Sequence, residues 1–187
     1  MSTRGFIGFA IDGGVKVAYN HSDSYPDGLG HQMLDWLRGA DLEKAAQAVR
    51  SLRVVDPQSE PSDADIAALK DFYDPNVGGR RERPDWYQLL RRTQGEPELM
   101  LRAAVIGDAS TLPADSLFAE WGYVADFDAQ VFEVYQGFQK SPHPEGRFAA
   151  MAPEGNGYFP VRLAASWPLK ALPTDEEFDA KFNDDDE

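Results

Sequence analysis

Residues 4–11 (RGFIGFAI) and 15–20 (VKVAYN) are two strand-like runs, and Asp12-Gly13-Gly14 between them supplies the positive φ angles that a tight hairpin turn needs. A second hairpin lies far downstream. Residues 121–136 (WGYVADFDAQVFEVYQ) hold two alternating runs around Asp128-Ala129-Gln130, and residues 158–167 read as a last strand. The sequence between the hairpins has helical spacing. Leu29, Met33, Trp36 and Leu37 form one stripe over residues 29–38, and Asp41 caps a helix over 41–53. Ser62 or Asp63 starts a third helix that runs to about residue 73, and residues 85–93 follow Pro84 as a fourth. Residues 99–107 suit helix or strand equally. Strands at both ends with helices in the middle require the terminal hairpins to meet in one mostly antiparallel sheet with helices packed on it. The expected class is therefore α+β.

With 187 residues, 42% of them hydrophobic and 12% aromatic, the chain is long enough for one domain with a proper core. The domain is expected over residues 1–173, with 174–187 (TDEEFDAKFNDDDE) as an acidic, flexible tail in which 175–182 is at most a short helix. No apolar run approaches a membrane span and no secretion signal is present, so the protein is expected to be soluble and cytoplasmic. Zero cysteines rules out disulfides, thiolate metal sites and a cysteine nucleophile. The formal net charge is −14, and the last fourteen residues, with eight acids and one lysine, carry half of it. A surface of that sign repels phosphate backbones, which disfavours nucleic acid as a partner. The tail itself is either a solvated end or a nucleic-acid mimic that occupies a basic site on another protein.

The polar cluster after the first hairpin, residues 20–28 (NHSDSYPDG), is the leading site candidate. It reads in three ways. Asn20, Asp23 and Ser24 hydrogen-bond to backbone in an Asx-type loop while Pro26-Asp27-Gly28 turns the chain; or His21, Asp23 and Asp27, with His31 beyond, ligate a metal, although their spacing matches no tight ligand signature; or the cluster serves catalysis. Further along, Arg80, Arg81, Arg83, Arg91 and Arg92 form an arginine-rich patch, which either binds an anion or pairs with the protein's own acids. Signatures of phosphate loops, dinucleotide folds and serine triads are absent, and no cofactor is called for.

The pattern Thr3-Arg4-Gly5, Gly8-Phe9, Asp12-Gly13, Lys16, Tyr19-Asn20-His21, Asp23-Ser24-Tyr25-Pro26 and Leu29-Gly30, with Tyr123-Val124 and residues 133–138, resembles a set of uncharacterised bacterial and phage proteins. That resemblance spans nearly the whole body and implies no activity. The opening also resembles N-terminal nucleophile hydrolases of the penicillin V acylase and choloylglycine hydrolase kind, in which a nucleophile at the mature N-terminus precedes a strand, a tight turn, a second strand and an Asn- or Asp-bearing loop. The present chain departs from that kind in being shorter and in lacking cysteine. The resemblance implies that Ser2, once Met1 is removed, is the nucleophile. Its own α-amino group, with a pKa of about 7.7–8.0, is then the base. Asn20 and Asp23 would return to it, an amide N–H holding the oxyanion, with Arg4, His21, Tyr25 and Arg81 as substrate contacts.

Two function classes follow. One is an amidohydrolase acting on a C–N bond through Ser2. The other is a non-catalytic acidic binding protein of phage or mobile-element origin whose partner is a host protein. The expected ligand or partner is accordingly a small molecule or a host protein.

Overall fold

The computed structural model describes residues 3–79 and 81–182. In chain order the strands are β1 (Gly5–Ile11), β2 (Gly14–Asn20), β3 (Arg53–Val55), β4 (Val105–Gly107), β5 (Trp121–Asp126), β6 (Val131–Gln136) and β7 (Arg162–Pro168). The helices are α1 (His31–Gly39), α2 (Leu42–Ser51), α3 (Asp63–Ala68), α4 (Trp86–Leu89), α5 (Pro97–Ala103) and α6 (Asp175–Phe182). A π-helical turn, Pro26–Gly30, leads into α1.

Among the described residues the main sheet has five strands in the order β2-β1-β5-β6-β7. The two expected hairpins meet in it through their first strands. β1 runs parallel to β5, with Ile7 opposite Tyr123, and the other three pairings are antiparallel. The class is α+β with a mixed, mostly antiparallel sheet. In the first turn Asp12 (φ 52°) and Gly13 (φ 77°) both lie at positive φ, the geometry whose twist matches that of the flanking strands. Asp128 in the second turn reaches across to it, accepting from Asp12 N at 3.0 Å and Gly13 N at 2.9 Å.

Every residue of β1 is buried because both faces of the strand are covered. Ile7, Phe9 and Ile11 pack with Leu34 and Leu37 of α1, Val49 of α2 and Phe178 of α6. Phe6 and Ala10 pack on the other side with Val124, Tyr135, Phe148 and Val161. Gly122 lies under the Phe6 ring so closely that a Cβ there would meet the ring at 2.1 Å. Leu69, Phe72, Trp86, Leu89, Leu90 and Val105 form a separate cluster.

Several boundaries differ from expectation, each for a local reason. α2 stops at Ser51 because Lys16 Nζ, from β2, donates to the carbonyls of Val49 (2.7 Å), Arg50 (3.2 Å) and Leu52 (2.7 Å). Arg53 then pairs with Ala104 O, and β3 runs parallel to β4 in a small second sheet. The ambiguous stretch 99–107 is both things in turn: α5 ends where Ala104 adopts a left-handed φ of 55°, and β4 follows. α3 has a full capping box between Ser62 and Asp65 but ends at Ala68, and Leu69 and Phe72 beyond it enter the third cluster. The fourth helix is likewise short, its end passing into a 3-10 turn at Arg91–Thr93.

The short helix expected over 175–182 forms as α6 and packs on the sheet. Phe178 is fully buried and packs against His31, Phe132 and Trp167, so the acidic segment is part of the globule as far as Phe182. Residues 183–187 lie outside the described residues. No helix among the described residues is long and apolar enough to cross a membrane.

Candidate functional site: a polar corner and an adjoining cleft

The polar corner begins where β2 ends at Asn20, whose side chain is buried. Its Nδ2 donates to Ser22 O at 2.6 Å and to Ser24 Oγ at 2.8 Å, which commits both amide hydrogens inside the loop. Asp23 turns the chain at a left-handed φ of 58°, and its carbonyl accepts from Leu29 N at 2.9 Å. Gly28 abuts it so closely that a Cβ would meet Asp23 O at 2.6 Å. Ser24 N donates to Thr3 O at 3.2 Å, and the Tyr123 hydroxyl donates to Ser24 O at 2.9 Å. Burial, together with the nearby carboxylates of Asp27 and Asp23, pushes the Tyr123 pKa well above its ordinary value, so it stays a neutral donor. The Tyr123 bond ties the loop to the sheet, the Ser24–Thr3 bond ties it to the residues before β1, and the rest close the loop on itself.

The other expected site residues disperse. Tyr25 is exposed, and its carbonyl accepts from Gly28 N and Gly30 N of the π-helical turn. His21 Nδ1 lies 3.2 Å from the Tyr19 hydroxyl. Arg4 lies over the Phe118 ring at 4.3 Å and is tied to Glu120. Arg81 pairs with Asp85 at 3.1 Å, and Arg83 with Asp63 at 2.8 Å and Pro61 O at 2.7 Å. His31 faces α6 rather than the corner, 2.6 Å from Asp179 and 3.7 Å from Asp175. Ser2, the expected nucleophile, lies outside the described residues, as does Arg80. Asn20, Asp23 and Tyr25 thus share one loop with His21 beside them, while Arg4 and Arg81 belong elsewhere.

Next to the corner is a half-open cleft of about 180 Å³ between the edge of β2 and the α4–α5 layer. Its inner wall is apolar and buried: Trp86, Leu90, Met100 and Ile106. Tyr19 and Tyr87 are half-buried, and Asp108 is exposed, which puts these three at the mouth. Local hydrogen bonds hold the wall in place. Asp85 caps α4 by accepting from Gln88 N at 2.9 Å, and the Trp86 indole N–H donates to Ser59 Oγ at 3.0 Å. At the rim, Asp108 N donates to Val55 O at 2.8 Å, and Asp108 Oδ1 accepts from Ser110 N at 2.9 Å. Burial raises the Tyr19 pKa and the Tyr87 phenol adds to it, against the opposing pull of Arg4 and Arg91, so the ring presents a neutral hydroxyl. The Thr93 hydroxyl in the lining is bonded to Leu90 O at 2.8 Å.

A second, more polar cleft of about 470 Å³ adjoins the first and shares Pro57 and Tyr87 with it. Arg81 and Arg83 line it together with Glu60 and Asp85, so its charges are balanced within the protein. The cleft residues Trp86, Tyr87, Leu90 and Asp108 carry no site signal in the sequence. One clue was present: Trp86 and Tyr87 are adjacent on a helix, so their side chains diverge and both cannot join one buried stripe. Compared with known proteins, the chain matches no protein-family model, no curated protein sequence and no solved structure.

Proposed function

We propose that this chain is a non-catalytic binding protein whose ligand is a small organic molecule of about the size of one ring, held in the cleft between β2 and α4. The observation that carries this reading is the cleft itself, about 180 Å³ with a buried wall of Trp86, Leu90, Met100 and Ile106 and a polar mouth. An apolar cavity of about 150 Å³ is large enough to take up benzene. Convergent apolar walls with a few placed polar groups are the usual form of a small-molecule site. The polar corner supports the same reading by its occupation elsewhere, because Asn20 has no amide hydrogen left for an oxyanion. A cytoplasmic setting is part of the proposal and is read by cell fractionation.

The test is a set of ring-sized fragments followed by backbone amide NMR. Fragments are expected to shift the resonances of Tyr19, Leu90, Ile106 and Asp108, and these shifts are expected to vanish in Gly107→Leu. Gly107 lines the cleft, and a Cβ there would make only an ordinary 3.7 Å contact with Pro57, which lines it too, so the added side chain starts from open space at the cleft; a urea titration checks that the variant keeps wild-type stability. Shifts that persist unchanged in Gly107→Leu, or fragments that leave these four residues untouched, would overturn the reading.

A further inference from the structure

We infer that the ligand class for this cleft is an organic cation, a ring carrying a short amine arm, with the ring against the apolar wall and the ammonium at the mouth beside the Asp108 carboxylate. The inference rests on the cleft reading and adds the ligand's charge to it. Three observations point the same way. Among the described lining residues Asp108 is the one with a formal charge, and it is exposed at the rim while the wall behind it is buried. Its bond from Ser110 N–H fixes the side chain without neutralising it. Beside it at the mouth are Tyr19 and Tyr87, with Trp86 further in. Aromatic faces attract cations through their quadrupole, most strongly where water is thinned out. Finally, the chain as a whole carries −14, which raises the local concentration of cations and repels anions.

Three guanidiniums near the cleft do not reverse this sign: the first, Arg53, lies over the Trp86 ring at 5.7 Å but is paired with Asp65 and does not line the cleft. Arg91 and Arg4 both bear on the Tyr19 hydroxyl, but neither lines the cleft. Arg91 is held to Gln94 Oε1 at 3.0 Å, and Arg4 is tied to Glu120 with its guanidinium over Phe118. The volume sets the size: a six-membered ring fills most of about 180 Å³, and a one-carbon arm brings the amine to the rim.

The experiment compares three probes of nearly equal shape by calorimetry and by the same amide shifts: benzylamine, benzyl alcohol and benzoate, at low ionic strength and pH 7. Benzylamine is expected to bind about tenfold more tightly than benzyl alcohol, and benzoate more weakly than either. In Asp108→Asn, which keeps the oxygen that accepts from Ser110, benzylamine is expected to fall to the affinity of benzyl alcohol, whose own affinity stays unchanged. If benzyl alcohol or benzoate binds as well as benzylamine, or if Asp108→Asn leaves the preference intact, the cation assignment is wrong and the cleft reading stands. If none of the three shifts the cleft resonances, both are wrong.

Discussion

Asn20 is placed to hold a loop, and its donors decide the matter. With one amide hydrogen on Ser22 O and the other on Ser24 Oγ, its side chain does for residues 20–24 what a strand partner does for a strand. Replacing it by aspartate keeps the shape and removes both hydrogens, and sets a carboxylate oxygen against the Ser22 carbonyl. Asn20→Asp is therefore expected to lower the unfolding free energy by about 2–3 kcal/mol in urea titrations, since a buried group is left facing an acceptor. A variant of wild-type stability would show that these bonds do not hold the corner. Part of this was legible: Asn, Asp and Ser clustered before Pro-Asp-Gly mark a loop closed by its own side chains. What could not be read was the anchor, because Tyr123, whose hydroxyl bonds Ser24 O, is 99 residues away. Nor could the sequence show that His31 would turn from the corner to Asp179, 148 residues on.

At the scale of elements, the long and strongly patterned pieces were legible, and the short ones were not. Both hairpins, α1 and α2 carry their period over six or more positions per element, enough for local chemistry to outweigh alternatives. β3 and β4 are three residues each, and they exist because two chain segments meet side by side, which no local pattern announces. The contact between the two hairpin turns is of the same kind. Asp128 accepts from Asp12 N–H and Gly13 N–H, and those backbone bonds hold its carboxyl below the ordinary value of 3.8, with smaller help from Arg50 and Arg147. A carboxylate depressed by folding stabilises the native state above its unfolded pKa, and that contribution is lost as the pH falls through the lower native value. Asp128→Ala is accordingly expected to lower Tm at neutral pH, with the gap to wild type constant down to about pH 5 and closing below about pH 4. Thermal melts across that range check it. A gap that stays open in acid would mean that the side chain acts through packing instead of charge.

For the molecule as a whole, the last helix carries packed structure past residue 173. Composition marks residues 174–187 off as an acidic tail, because eight acids in fourteen residues look like a solvated end. Two phenylalanines spaced four apart, Phe178 and Phe182, were the contrary signal, a short apolar stripe on an acidic helix. Phe178 lies 5.5 Å from the Trp167 ring centroid and 6.3 Å from that of Phe132, closing the core over the β6–β7 side of the sheet. Arg38 adds polar clamps to Asp175 at 2.6 Å and to Pro173 O at 2.5 Å. Hydrophobic burial is worth more here than exposed ion pairs, which contribute about 0–1 kcal/mol each. Phe178→Ala is thus expected to cost about 3–5 kcal/mol of unfolding free energy, as for other fully buried aromatics, and Glu176→Gln, on the exposed side of α6, to stay within about 0.5 kcal/mol. Denaturant titrations of the two variants separate anchor from charge. If Glu176→Gln were the costly one, the helix would be held electrostatically. If Phe178 is the anchor, deleting residues 174–187 uncovers part of the core, so any partner lost with that deletion is lost through unfolding before it is lost through charge.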